Sequence, residues 1–142
     1  MKMLDDLYRQ LIMDHARYRR NHRKGGNEHL HYKNPTCGDV MTLYWTINKD
    51  NVIEDVSFTG EGCSISMASC SMMTVLVRGK HVTEVNQMKE AMEQLIRNGV
   101  PPTDQEIDLG DALSLEGVHK LKARHNCALM PWQALDRAFF RE

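Results

Sequence analysis

The first stretch of the chain places apolar residues at the spacing of one helical face. From Leu4 onward this pattern predicts an amphipathic helix of about four turns. The helix is predicted to end in a basic run, residues 17–24, before Gly25 and Gly26. Its predicted inner face consists of Leu7, Tyr8, Leu11, Ile12, His15 and Ala16. We therefore interpret His15 as a buried core or interface histidine.

The middle of the chain changes to an alternation with a period of two, which is typical of half-buried strands. Residues 40–47 and 52–59 both show this pattern, and a short polar stretch between them has the composition of a turn. We predict an antiparallel hairpin, with residues 27–33 as an edge strand or a loop. Cys37 precedes the first strand and Cys63 follows the second, so pairing brings both thiols to the same end of the sheet.

Helical patterns return after the hairpin. One helix is predicted from Cys63 to Arg78, with Gly79 as its terminator, and a second from an N-cap at Thr83 to Arg97. At its helix N-terminus, Cys63 is expected to ionise more easily than a free thiol because the helix dipole favours negative charge there.

The last third of the chain mixes loop and helical patterns. We predict three segments: a connecting loop at residues 100–110, a short helical piece around residues 113–121, and a final helix from Ala128 or Pro131 to Arg141. This assignment puts Cys127 on a loop just before the final helix.

Composition indicates one soluble domain over residues 1–142, with 42% hydrophobic and 26% charged residues. No apolar run approaches the roughly 20 residues of a membrane span, and acids near the N-terminus argue against a signal peptide, so we expect a cytoplasmic protein. The net charge of -1 gives no reason to expect nucleic-acid binding. The basic run 17–24 is interpreted as a solvated helix end, with contact to an acidic partner protein as the alternative.

Four cysteines in a reducing compartment favour metal or sulfur chemistry over disulfides. Three of these thiols, with one carboxylate, would satisfy a tetrahedral zinc ion, and the candidate ligands are Cys37, Asp39, Cys63 and Cys127. Gly38, between Cys37 and Asp39, lets the backbone curl so that the thiol and the carboxylate face one ion. Such a site carries excess negative charge, which favours a nearby cation such as Arg124.

Other interpretations of the same residues remain open. The cysteines are also consistent with buried free thiols, and Cys70 in particular is expected to be a buried small residue rather than a second sulfur relay. A zinc-stabilised interaction domain would use the same four ligands for folding alone. A cysteine hydrolase would need a histidine base beside a thiol, with His15, His119 or His125 as candidates.

Several motifs carry a resemblance to a known family. The stretches NPTCGD (residues 34–39), FTGEGCSISMAS (58–69) with the following CSMMT, and R-x-x-C-A-L-x-x-W (124–132) resemble the SufU branch of the IscU/NifU-N family of iron-sulfur cluster assembly proteins. The similarity covers nearly the whole chain and includes Met13 to His15 in the first helix. It implies an α+β fold with a small antiparallel β-sheet covered by α-helices, in agreement with the predicted elements.

The resemblance implies one of two functions. Scaffold members, on which a [2Fe-2S] cluster is assembled and transferred, carry lysine and histidine where this chain has Arg124 and Asn126. SufU-type members carry the arginine, have an inserted segment before the last cysteine, and bind zinc. This chain has that arginine, and residues 100–110 lie where the insertion falls, so the SufU-type function is favoured.

SufU-type proteins accept persulfide sulfur, on the cysteine that matches Cys37, from a pyridoxal-phosphate-dependent (SufS-type) cysteine desulfurase. By resemblance, the sulfur then passes to a downstream Suf cluster scaffold, which makes the chain sulfurtransferase-like. Arg124 is expected to pair with Asp39 or to hold the freed sulfur anion. His125 is an alternative metal ligand in place of Asp39.

Overall fold

The computed structural model describes residues 2–140 of the chain. These residues form four α-helices, three strands and two 3₁₀ segments. In chain order they are α1 (Lys2–Arg17), β1 (Glu28–Lys33), β2 (Val40–Ile47), β3 (Ile53–Glu61), α2 (Ser64–Val77), α3 (Val82–Asn98), a long 3₁₀ segment (Gly110–Lys120), a short one (Lys122–Arg124) and α4 (His125–Phe139). Arg141, the predicted end of the last helix, lies outside the described residues.

The three strands form one antiparallel sheet in the order β1-β2-β3. Leu43 pairs with Phe58 across the predicted hairpin, and Tyr32 of the edge strand pairs with Met41. Alternate residues of β2 are buried, as the period of two requires, and the sheet packs against α4 through β2 and against α2 mainly through β3. The sheet and its helical cover confirm the predicted α+β fold.

Helix α2 lies at the centre of the molecule, between α1 and α4. Its sequence contains no charged residue, and ten of its side chains are buried, including Met67, Met72 and Met73. His15 of α1 is buried and hydrogen-bonds through Nδ1 to Ser71 Oγ of α2 at 2.8 Å, and through Nε2 to Asp111 Oδ2 at 2.9 Å. The prediction of a buried His15 is therefore confirmed, and His15 ties α1 to the core.

Two predicted helix starts are wrong. The N-cap of α3 is His81 and not Thr83, because the His81 ring accepts the backbone N–H of Thr83 while Glu84 accepts the N–H of His81. Helix α4 begins at His125, so Cys127 lies in its first turn and not on a loop. Pro131 inside α4 removes one backbone donor, and burial of the residues before it offsets that loss.

Only Arg17 of the predicted basic run lies in α1, and the rest of the run follows the helix, with His22, Arg23 and Lys24 exposed as predicted. Arg20 forms an ion pair with Asp14, and Arg23 forms one with Asp55 of β3. His22 stacks on Phe58, with ring centroids 4.9 Å apart. The segment is therefore fixed along the outer strand of the sheet. Among the described helices, none combines the length and apolar character needed to cross a membrane.

Candidate metal centre

Cys37 lies at the tip of a tight turn, residues 34–39, that leads from β1 to β2. Within this turn, the Asn34 N–H donates to Asp39 O at 2.7 Å and the Gly38 N–H donates to Asn34 O at 3.2 Å. Gly38 has a φ of 76°, a left-handed conformation that favours glycine. The predicted curl at Gly38 is confirmed, and it leaves the Cys37 side chain exposed to solvent.

The first turn of α4 brings Cys127 to the Cys37 loop. Cys127 is buried, and its Sγ lies 3.5 Å from Cys37 Sγ. A disulfide requires about 2.05 Å between the sulfurs, so both thiols are free. Two thiolates on one tetrahedral zinc ion lie about 3.8 Å apart, given Zn–S bonds of about 2.3 Å. The observed separation is close to that of two ligands of one ion.

Asp39 lies beside the start of α2, which supplies its hydrogen-bond donors. The Ser66 hydroxyl and the Cys63 backbone N–H both donate to Asp39 Oδ2, the latter at 3.3 Å. A side chain at Gly62 would place its Cβ 2.9 Å from Asp39 Cγ, so a glycine is needed there. Burial raises the pKa of Asp39, but hydrogen bonds from Ser66, Cys37 and Cys63 outweigh it and leave the pKa below its ordinary value.

Sequence reasoning missed Ser66 as part of this site. The signal that points to it is its position three residues after Cys63, because the third residue after an N-cap faces back toward the cap. In the structure Cys63 is the N-cap of α2, and its Sγ accepts the Ser66 N–H at 3.5 Å. Ser66 therefore contacts two of the four predicted ligands at once.

Three of the four predicted metal ligands are brought together directly. Three potential ligand atoms lie within 4.8 Å of one another: the Cys37 sulfur, one carboxylate oxygen of Asp39 and the Cys127 sulfur. Cys63 lies beside this group: its backbone N–H donates to Asp39, and its side chain contacts the Ser66 hydroxyl at 3.3 Å and hydrogen-bonds with Asp39 and Cys127. Two thiols and a carboxylate suit zinc, and the neighbouring Cys63 sulfur would be the fourth donor.

The thiols of the site differ in their electrostatics. Burial raises the pKa of the Cys127 thiol to about 12, and hydrogen bonding to Cys37 and the charge of Cys63 act in the same direction. Arg124 is exposed at the N-terminal end of α4, and a hydrogen bond to Cys127 together with the charge of Cys63 raises its pKa. Arg124 therefore faces the sulfurs, and the ion pairs of the described residues do not include the expected one with Asp39.

The remaining candidate residues point elsewhere. Cys70 is fully buried in the core, where burial raises its pKa and its sulfur contacts Met41 Sδ at 3.7 Å. His125 is buried and its Nε2 lies 2.9 Å from His119 O, outside the group of potential ligands. His119 Nδ1 in turn contacts Glu116 O at 2.8 Å. Within residues 4–140, no hydrogen bond places a histidine ring on a thiol, so the geometry does not favour a cysteine hydrolase.

Comparisons with known proteins agree with this architecture. The NifU-like N-terminal domain family matches residues 7–128. The zinc-dependent sulfurtransferase SufU of Bacillus subtilis (strain 168) is 43% identical, over 98% of this chain and 93% of its own length. The iron-sulfur cluster assembly scaffold protein IscU of Streptococcus pyogenes serotype M1 is 37% identical, over 99% of this chain and 87% of its own length.

A solved structure shows the same fold. The N-terminal part of a nitrogen-fixing NifU-like protein from Brucella abortus superimposes with a TM-score of 0.80, over 98% of this chain and 96% of that one, at 24% identity. The family match covers most of the chain and includes all three clustered ligands. This chain belongs to the NifU-like N-terminal domain family.

Proposed function

We propose that this chain is a zinc-dependent sulfur acceptor and carrier for iron-sulfur cluster assembly, acting as a single domain in the cytoplasm. The observation that carries the proposal is the asymmetry of the two neighbouring thiols, Cys37 and Cys127. Cys37 is exposed on a loop, whereas Cys127 is 1% exposed in a helix. A macromolecular sulfur donor can reach only the former, so Cys37 is the acceptor and Cys127 remains at the metal.

The proposed metal set is Cys37, Asp39, Cys63 and Cys127. Zinc bound there would keep the acceptor sulfur deprotonated at neutral pH, because only the thiolate is a metal ligand and a nucleophile. The carboxylate of Asp39 is a harder ligand than a thiolate, and its hydrogen bonds from Ser66 and Cys63 hold it in place as Cys37 leaves. The SufU relative with 43% identity is named as zinc-dependent, which supports this choice of metal.

The sulfur donor in this proposal is the cysteine persulfide of a pyridoxal-phosphate-dependent desulfurase of the SufS type. The Cys37 thiolate attacks the outer sulfur of that persulfide, and a new S–S bond forms on Cys37. The bond between the two donor sulfurs breaks, and its electron pair leaves on the desulfurase cysteine as a thiolate. No net oxidation occurs, and Cys37 carries the sulfur onward to a downstream Suf cluster scaffold.

Arg124 is the proposed partner of the sulfur anions during this exchange. Its guanidinium is exposed and faces the thiols of Cys127 and Cys63, and it is protonated throughout the physiological pH range. A fixed cation at this position stabilises negative charge on a displaced or incoming sulfur. Arg124 is therefore assigned to sulfur handling rather than to support of Asp39.

A scaffold for a [2Fe-2S] cluster is the second candidate, because the IscU relative is 37% identical over nearly the whole chain. Metal analysis after anaerobic purification separates the two functions. We expect about one zinc per chain and no acid-labile sulfide, with zinc lost in a triple variant of the clustered ligands Cys37, Asp39 and Cys127. Iron with a matching amount of acid-labile sulfide would instead establish the scaffold function.

A further inference from the structure

Two side-chain amides attach the Cys37 loop to the start of α4. The Nδ2 of Asn34 donates to the backbone oxygen of Asn126 at 2.9 Å. The Nδ2 of Asn126 donates in the opposite direction, to Thr36 Oγ1 at 3.2 Å. The second of these hydrogen bonds, which we call the Thr36–Asn126 contact, joins the residue before Cys37 to the residue before Cys127. It therefore links the two chain segments that carry these sulfurs, which lie 3.5 Å apart.

The two attachments differ in their exposure to water. Asn34 is fully buried, and its Oδ1 also accepts the Thr36 N–H at 3.1 Å and the Thr36 hydroxyl at 2.9 Å. These bonds fix the shape of the turn itself. The Thr36–Asn126 contact is at the surface, where water competes for both partners. It can open while the buried attachment through Asn34 remains.

The orientation of the Asn126 amide is set from its other side. Arg97 of α3 donates from Nη2 to Asn126 Oδ1 at 3.4 Å, and its own Nε is held by Glu93 Oε2 at 2.9 Å. With its oxygen turned toward a cation, the amide must present its NH₂ group to Thr36. The contact is thus directed by neighbouring residues.

We propose that the Thr36–Asn126 contact holds Cys37 at the metal centre and controls how readily this thiol leaves it. The inference rests on the proposed function, in which Cys37 must alternate between the metal and an external sulfur donor. Thr36 and Asn126 are positioning residues, since their side chains hydrogen-bond to each other and act on the distance between the loop and α4. Breaking the contact frees the outer half of the loop and leaves the four ligands unchanged.

The test is the rate at which iodoacetamide alkylates Cys37 in the zinc-loaded protein, followed by mass spectrometry. Asn126→Ala removes the amide but keeps the backbone oxygen that Asn34 uses, so it deletes the contact and leaves the turn intact. Thr36→Val has nearly the same shape as the parent residue, but it removes both the contact and the hydrogen bond from the Thr36 hydroxyl to Asn34 Oδ1. We expect both variants to react about two- to ten-fold faster than the parent, the range that corresponds to one net hydrogen bond. Thr36→Ser keeps the hydroxyl and is expected to react at the parent rate.

The metal-free proteins provide the control, because Cys37 is exposed on its loop and needs no release from a metal before it can react. Their alkylation rates are expected to agree, which would place the effect on release from the metal and not on access to the thiol. Equal rates for the zinc-loaded parent and Asn126→Ala, even with acceleration in Thr36→Val, would overturn the inference, and so would equal acceleration in Thr36→Ser. So would an acceleration of the same size without zinc.

This assay uses no desulfurase and is therefore independent of sulfur transfer. If the parent chain binds zinc but accepts no sulfur on Cys37, the proposed function fails, whereas the alkylation rates still report whether the contact holds the thiol. If sulfur is accepted and the variants react alike, the function stands and the positioning inference fails.

Discussion

The thiols around the candidate centre have different surroundings and so different chemical tasks. Cys127 is buried, and its pKa of about 12 means that it is protonated near neutral pH when no metal is bound. Metal binding must displace that proton, which couples zinc affinity to pH. Cys37 is exposed, on a loop with a left-handed glycine. The exposed thiol is suited to exchange with a partner, and the buried one to retention of the metal.

Cys63 and Cys70 provide a direct test of the ligand set at the level of single residues. Cys63→Ser is expected to weaken zinc binding by roughly a hundred-fold or more, because loss of a direct ligand exceeds the effect of losing an outer-sphere partner. Cys70→Ala is the matched control, since its thiol lies in the core against Met41. Competition with a chromophoric chelator measures both affinities. Unchanged affinity in Cys63→Ser would remove Cys63 from the metal site.

At the scale of elements, one carboxylate joins three parts of the fold. Asp55 of β3 pairs with Arg23, from the segment after α1, and with Arg78, which follows α2. The hydrogen bond from Arg23 lowers the pKa of Asp55 below 3.8, against the opposing effect of burial. Asp55 therefore couples the chain after α1 to the edge of the sheet and to the end of the central helix.

This arrangement predicts a pH-dependent stability. Because the folded-state pKa of Asp55 is lower than that of the unfolded chain, its contribution is complete well above pH 3.8 and is lost as the pH falls through the folded pKa. Asp55→Asn is expected to cost about 1 kcal/mol of unfolding free energy at pH 7, because exposed ion pairs contribute modestly to stability, and clearly less at about pH 2.

Chemical denaturation of metal-free protein at both pH values measures this difference. Glu54→Gln, at an exposed position of the same strand, is the control and is expected to differ little from the parent at either pH. A loss of stability in Asp55→Asn that is equally large at pH 2 would show that the residue acts by packing and not by its charge.

The sequence predicted most elements, because the apolar spacing was clear in α1, the hairpin, α2 and α3. It did not predict the start of α4. Proline is preferred at the first position of a helix, so Pro131 indicated a later start, whereas the burial that extends the helix back to His125 depends on tertiary packing. The hydrogen bond from Ser66 to Asp39 and the lack of space for a side chain at Gly62 were missed because both also depend on tertiary packing. The order of the strands along the chain indicated that Cys37 and Cys63 lie close together. The directions of the Cys63 and Arg124 side chains could not be predicted, because they depend on the three-dimensional packing around them.

At the scale of the whole molecule, the hydrophobic core and the candidate metal centre are separate. The core is built from the sheet, α2, α3, α4 and the long 3₁₀ segment, and contains Phe58, Met72 and Trp132 among its fully buried side chains. The clustered ligands lie beyond one end of the sheet, on the turn before β2 and at the start of α4. We therefore expect the fold to persist without the metal, unlike that of a zinc finger.

Removal of zinc tests that separation. A chelator is expected to lower the melting temperature, since zinc at a thousand times its Kd would stabilise the folded state by about 4 kcal/mol. For a domain of this size this corresponds to a shift of roughly 10 °C. The far-ultraviolet circular dichroism at 25 °C is expected to stay unchanged. Loss of the helical signal on chelation would instead indicate a zinc-stabilised interaction domain, whose metal serves folding alone.

The central claim, that Cys37 accepts sulfur, is tested most directly by mass spectrometry of the zinc-loaded protein after incubation with a cysteine desulfurase and cysteine. Among the four cysteines, the tryptic peptide of residues 34–49 contains only Cys37. We predict the added mass of one sulfur atom on that peptide, its removal by a thiol reductant, and its absence in Cys37→Ser. A folded, zinc-loaded protein with no sulfur on this peptide, or with the sulfur on Cys63 or Cys127, would contradict the account.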